Sequence, residues 1–112
     1  VALNKKTEFE TRIQSLSALH KALSHPARLA ILETLAERQS CVCGEIVDTL
    51  PLAQATVSQH LRELKETGLI KGEIEGKTSC YCLDWGALEE MEEDFKNFFE
   101  QIKKYKMDTG CC

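Results

Sequence analysis

Apolar residues recur every third or fourth position over residues 7–23, where Phe9, Ile13, Leu16, Leu19 and Leu23 share one helical face. "TEFE" opens this helix as a capping box, Thr7 to Glu10. "SHPAR" restarts the chain, with Ser24 or His25 as cap and Pro26 in the first turn, where its missing N–H is harmless. Leu29, Leu32 and Ala36 give the second helix, about 26–37, its buried stripe. "CVC" alternates and is too short for a helix, so a brief strand is expected at 41–43. Residues 44–50 read as a short helix, "PLA" as a turn, and 54–67 as a helix with Val57, Leu61 and Leu64 inward. Gly68 stops that helix as the residue after its C-cap. Strands at 69–74 and 78–83 flank the turn "EGK". Residues 86–106 form a last helix, where Leu88, Met91, Phe95, Phe98, Ile102 and Tyr105 alternate spacings of three and four. That is a coiled-coil seam, best covered by a two-fold partner copy.

The order helix, helix, strand, helix, turn, helix, hairpin, helix is that of a winged helix-turn-helix, mainly α with a small β-hairpin. One domain is expected over 1–112. Its parts are dimerisation helices at 5–23 and 86–106, a helix-turn-helix at 44–67, a wing at 69–83 and a cysteine-bearing tail at 107–112.

Composition narrows the class. The chain has 112 residues, 43% apolar and 29% charged, which suits a globular domain. No apolar run is long enough to span a bilayer. No signal peptide is visible, so a cytoplasmic location is expected. There thiols stay reduced, and paired cysteines point to metal binding or redox sensing. The net charge of −4 speaks against a nonspecific nucleic-acid coat. It leaves DNA reading open, because charge on one face decides that. The acidic excess gathers in "LEEMEEDF", 88–95.

The helix at 54–67 carries the most specific signal. Its N-terminal half offers Gln54, Thr56, Ser58, Gln59 and His60. Amides and hydroxyls there suit base edges in a major groove. Arg62 and Lys65 can reach phosphates from the flank, and Lys71 and Lys77 from the hairpin. An ordinary solvated face is the plainer reading, and four basic against four acidic residues over 54–80 agree with it. The surrounding order of elements favours DNA.

The runs "ALSHPARLAILETLAE", "ATVSQHLRELKETGLIKGEIEGK" and "YCLDW" resemble the ArsR/SmtB family of metal- and thiol-responsive repressors. The resemblance covers roughly 15–86 and is most specific at "TVSQHLRELKETGLI". It implies a winged-helix homodimer built on the first and last helices. It also implies an inverted-repeat operator, bound without effector and released by a metal ion, metalloid or oxidant. It places Ser58 and His60 in the recognition helix and makes "EGKTS" the wing.

Six cysteines fall in three pairs: Cys41 and Cys43, Cys80 and Cys82, Cys111 and Cys112. A lone buried cysteine is usually a small hydrophobe; three such pairs in one reduced domain point to function. Soft sulfur ligands select Cd(II), Zn(II) and Cu(I), and the resemblance adds As(III) or Sb(III), the favoured effectors. Arsenic-sensing members carry C-x-C-x-x-C beside the helix-turn-helix; here Ile46 holds the third position, so another sulfur must complete the set. In a winged helix the strand before the helix-turn-helix pairs with the second hairpin strand. "CVC" is therefore expected beside "CYC", with facing Cα atoms about 4.5–5.5 Å apart. The terminal pair can swing in from a mobile end, and some members do bind arsenic after the last helix. Zinc-sensing members use histidine and carboxylates on that helix, and 86–106 holds no histidine. A redox or persulfide sensor working through a reversible disulfide stays open.

Two other classes fit poorly. A thiol enzyme needs an anion-cradling loop or a C-x-x-C motif, and neither occurs. A protein-interaction module would not need the polar "QATVSQH" face.

Overall fold

The computed structural model describes residues 8–39, 41–43, 50–75 and 79–107. Among them are four helices: α1 (Thr11–Ala22), α2 (Pro26–Arg38), α3 (Gln54–Glu66) and α4 (Trp85–Lys103). Three strands, β1 (Val42–Cys43), β2 (Ile70–Glu73) and β3 (Cys80–Leu83), form one antiparallel sheet in the order β1-β3-β2. The helix expected at 44–50 and the wing turn at 76–78 lie outside the described residues.

Pro26 stands at the first position of α2, behind His25 as N-cap. Ser24 does not cap α2; its hydroxyl donates to the Lys21 carbonyl and closes the end of α1. Gly68, at φ +85°, ends α3. Its N–H donates to the Lys65 carbonyl and that of Leu69 to the Leu64 carbonyl, the paired bonds of a Schellman turn. Asp84 caps α4: its Oδ1 accepts from the Ala87 N–H at 3.0 Å.

Two helix limits differ from expectation. α1 starts at Thr11, not residue 7, because its first turn closes with Gln14 N–H donating to the Glu10 carbonyl. Glu10 is therefore the N-cap, not the fourth residue of a capping box, and Thr7 lies outside the described residues. α4 ends at Lys103, where Tyr105 and Lys106 donate to Ile102 and Lys103 in a tighter i→i+3 turn.

The core gathers Ile31 and Leu35 of α2, Val57, Leu61 and Leu64 of α3, Leu69, Ile70, and the inner sheet face of Val42, Tyr81 and Leu83. Each of these side chains, fully buried, stabilises the fold by about 1.5–3 kcal/mol. Tyr81 is the largest of them, at 1% exposure. Strand alternation sends the residues between them to the other face. α1 packs against α4, with His20 edge-on to Phe95. Leu88 and Met91 reach the core. Farther along the seam Ile102 and Tyr105 are exposed, as are Phe9 and Phe99.

Candidate nucleic-acid interface and thiol site

α3 presents a mixed face. Thr56, Gln59, Arg62 and Lys65 are exposed and Gln54 is half-buried. No side chain among the described residues caps its N-terminus. Ser58 and His60, expected on the exposed half, are instead buried at 6% and 7% exposure. Their helical phase is that of Val57, Leu61 and Leu64, which turns them toward α2.

His60 is held there by partners 32 and more positions away. Arg28 Nε donates to His60 Nδ1 at 3.1 Å. Arg28 also donates to the Ala22 carbonyl and pairs with Glu63, one turn along α3. The His25 ring stacks obliquely on His60, with centroids 4.4 Å apart. An Nδ1 that accepts belongs to a neutral imidazole. Burial, then the neighbouring charges of His25 and Arg28, pull the His60 pKa below its ordinary value. Glu63 also accepts from Gln59 Nε2 at 3.2 Å, so this network steadies one polar residue of the exposed face. Sequence reading missed Arg28 and Glu63: "SHPAR" was legible as a helix start, not as the source of a long-range guanidinium.

The thiols converge across β1 and β3. Val42 pairs with Tyr81 and Cys43 with Cys80, and continuation of this register sets Cys41 against Cys82. The expected pairing of "CVC" with "CYC" is therefore found in the backbone. Cys41, Cys80 and Cys82 belong to the outer sheet face, opposite Tyr81. Cys41 is exposed, Cys82 half-buried, and both are free thiols. Cys80 is disulfide-bonded, so four free sulfurs do not face one another here. Among the described residues no group of three or more His, Cys, Asp or Glu is arranged to hold an ion. Cys111 and Cys112 lie outside the described residues.

Cys41 and Cys82 share a hydrogen bond, which raises the Cys82 pKa; burial and the charge of Asp84 act the same way, and Lys71 opposes them. Lys71 pairs with Cys82 across β2 and β3. That register turns it toward the thiols, whereas a phosphate contact was expected of it. Lys77 lies outside the described residues. The two thiols open on a pocket of about 250 Å³, lined also by Leu35, Gln39, Lys71, Leu83 and Trp85. Two adjacent thiols that lose their protons on binding suit a soft ion, which takes sulfur at about 2.3 Å.

A helix-turn-helix domain family matches residues 23–73. The chain is 42% identical over 71 residues to the HTH-type transcriptional repressor SmtB of Mycobacterium tuberculosis, a match covering 63% of this chain and 52% of that protein. The chain thus spans about half the length of that relative. The cadmium resistance transcriptional regulatory protein CadC of Listeria innocua is 32% identical over 102 residues, covering 90% of this chain and 83% of that one. An ArsR-like transcriptional regulator from Rhodococcus shares the fold, with a TM-score of 0.58 and 20% identity over 85% of this chain and 95% of its own. With that relative 32% identical and matched over 83% of its length, the chain belongs to the ArsR/SmtB family of winged helix-turn-helix transcriptional regulators.

Proposed function

We propose that the chain represses transcription as a homodimer on an inverted-repeat operator, and that a thiophilic metal or metalloid bound by its thiolates releases it. The observation that carries this reading is the β1–β3 register, which brings cysteines from two distant segments onto one sheet face beside the helix-turn-helix. As(III) or Sb(III) is the favoured effector, with Cd(II), Zn(II) and Cu(I) as alternatives. The cadmium-resistance name of one relative agrees with a soft effector.

In the effector-free dimer, joined through α1 and α4, two copies of α3 enter successive major grooves about 34 Å apart. Gln54, Thr56 and Gln59 meet base edges, and Arg62, Lys65 and Lys77 meet phosphates. Ser58 and His60 act behind them: His60 fixes α3 on α2, so the exposed face arrives already oriented. An ion bound at the thiols supplies a link between β1 and β3. Those strands bracket α3, so drawing them together changes the tilt of α3 and the wing. The coupling needed is about 1–3 kcal/mol, and operator binding weakens effector binding by the same factor.

The disulfide at Cys80 favours a second reading, in which oxidation or persulfidation of the same sulfurs is the signal. Gel shifts under argon separate the two, using arsenite, antimonite, cadmium, zinc, copper(I) and peroxide. Release by a metal or metalloid without oxidant, lost in Cys41→Ser/Cys82→Ser, is the expected result. Release of that variant and wild type at the same dose excludes thiol sensing through this pair. Release by peroxide alone selects the redox reading.

A further inference from the structure

All three nitrogens of the Arg28 guanidinium have partners inside the protein. Nε donates to His60 Nδ1 at 3.1 Å, Nη1 donates to the Ala22 carbonyl at 3.2 Å, and Nη2 pairs with Glu63 Oε2. The Arg28 side chain is only 14% exposed. A planar fork held at three points resists rotation, whereas a lysine ammonium is a single point on a flexible stem. Arg28 therefore fixes the Glu63 carboxylate as well. Oε2 is buried against Arg28, and Oε1 accepts from Gln59 Nε2 at 3.2 Å. An ionised carboxylate only accepts, so the end of the Gln59 amide that faces it is the NH2. That gives the amide a direction. Gln59 is exposed, on the same side of α3 as Thr56 and Arg62. An exposed glutamine ordinarily samples several rotamers, and ordering it opposes binding. Here the ordering precedes the encounter with DNA.

Building on the reading of α3 as the DNA-contacting helix, we propose that Arg28 is a positioning residue for sequence reading: through Glu63 it holds the Gln59 amide so that its oxygen and second N–H meet one adenine in each half-site. Adenine fits because its N6 amino group donates to the amide oxygen and its N7 accepts from the amide N–H. Arg28 lies behind the exposed face and acts through Glu63 and Gln59 in turn. Its influence is thereby confined to the base that Gln59 meets.

The full chain is used to enrich binding sequences from a random double-stranded DNA pool. Duplexes with each base pair of the enriched sequence replaced in turn then give affinities by fluorescence anisotropy. Wild type, Gln59→Ala, Arg28→Lys and Glu63→Gln are compared, each checked for folding by circular dichroism. Wild type is expected to select an A·T pair whose replacement by G·C weakens binding at least about tenfold. Gln59→Ala abolishes that preference and so identifies the position. Arg28→Lys keeps the charge but not the fork. In Glu63→Gln the side-chain oxygen stays with Arg28 and the NH2 turns outward, which removes the acceptor that Gln59 needs. Each variant brings the preference at that one position to within about threefold, the loss of most of one bidentate contact. Preferences elsewhere and the salt dependence of affinity stay as in wild type. Glu63→Gln carries the test if Arg28→Lys does not fold. Full discrimination at the Gln59 position in a folded variant overturns the proposal, and so does an equal loss at every position, the mark of a purely structural role. A Gln59-dependent base other than adenine overturns it too. Failure of wild type to enrich any sequence overturns the DNA reading of α3 itself.

Discussion

Gly72 lies in the middle of β2 at φ +123°, where its backbone crosses β3 closely. A Cβ built there meets the Cys80 carbonyl oxygen at 2.1 Å and the Tyr81 Cα at 2.8 Å. Both obstacles are main chain, so no rotamer change relieves them. Ordinary contact begins near 3.4 Å, and Gly72→Ala must therefore push β2 away from β3. Holding a side-chain-bearing residue at this φ costs about 1–3 kcal/mol. The steric displacement costs about 1–3 kcal/mol more. Against a total stability of roughly 5–15 kcal/mol, a loss of about 2–6 kcal/mol is severe. At about 4 °C per kcal/mol for a domain of this size, the melting temperature falls by roughly 8–24 °C. Urea unfolding followed by far-ultraviolet circular dichroism measures the loss directly. A variant within about 0.5 kcal/mol of wild type, the range of inconsequential surface changes, refutes the argument. It would mean that β2 shifts freely and that the register setting Lys71 against Cys82 is not rigid.

Two further outcomes follow from His60 in the middle of α3 and Asp84 at the start of α4. His60 has a folded-state pKa below 6.5, so as pH falls the unfolded chain takes up its proton first. The stability tied to neutral His60 is complete above pH 6.5 and is lost as pH drops from there through the folded pKa. His25, Arg28 and Glu63 face it, and Arg28 cannot donate to a protonated Nδ1. Urea unfolding at pH 7.5 and 5.5 should show this loss in wild type and a smaller one in His60→Asn; equal losses would remove His60 as the cause. Asp84→Ala deletes the α4 cap and should cost about 1 kcal/mol in the same assay. No change would show that solvent satisfies the Ala87 N–H equally well.

What the chain reveals by itself depends on the range over which each feature is decided. α2, α3 and the hairpin strands are local: Pro26 and Gly68 punctuate the helices, and Val57, Leu61 and Leu64 keep the helical period that buries them. The convergence of "CVC" and "CYC" was legible because the order of elements leaves few ways to pair two such strands. The inward turn of Ser58 and His60 was not. It is set by where α2 crosses α3, and by an arginine 32 positions from His60 that no periodicity marks. The place of Lys71 beside Cys82 was hidden for a related reason. A lysine in a wing strand reads as a phosphate contact, and only the pairing with β3 sets it across from Cys82. The pocket was likewise invisible, since Leu35 meets Leu83 and Trp85 only through tertiary packing. The Asp84 cap was within reach, two positions ahead of where the last helix was expected to begin.

The adjacency of Cys41 and Cys82 has a mechanical corollary. Any bridge between them turns the intervening stretch of about forty residues, all of α3 and β2 included, into a closed ring. Chain-entropy arguments give such a ring roughly 4 kcal/mol of resistance to unfolding. The liganded protein, freed from its promoter, would then outlast the bare one under heat, and tolerance of high temperature would track the presence of the signal rather than the grip on DNA.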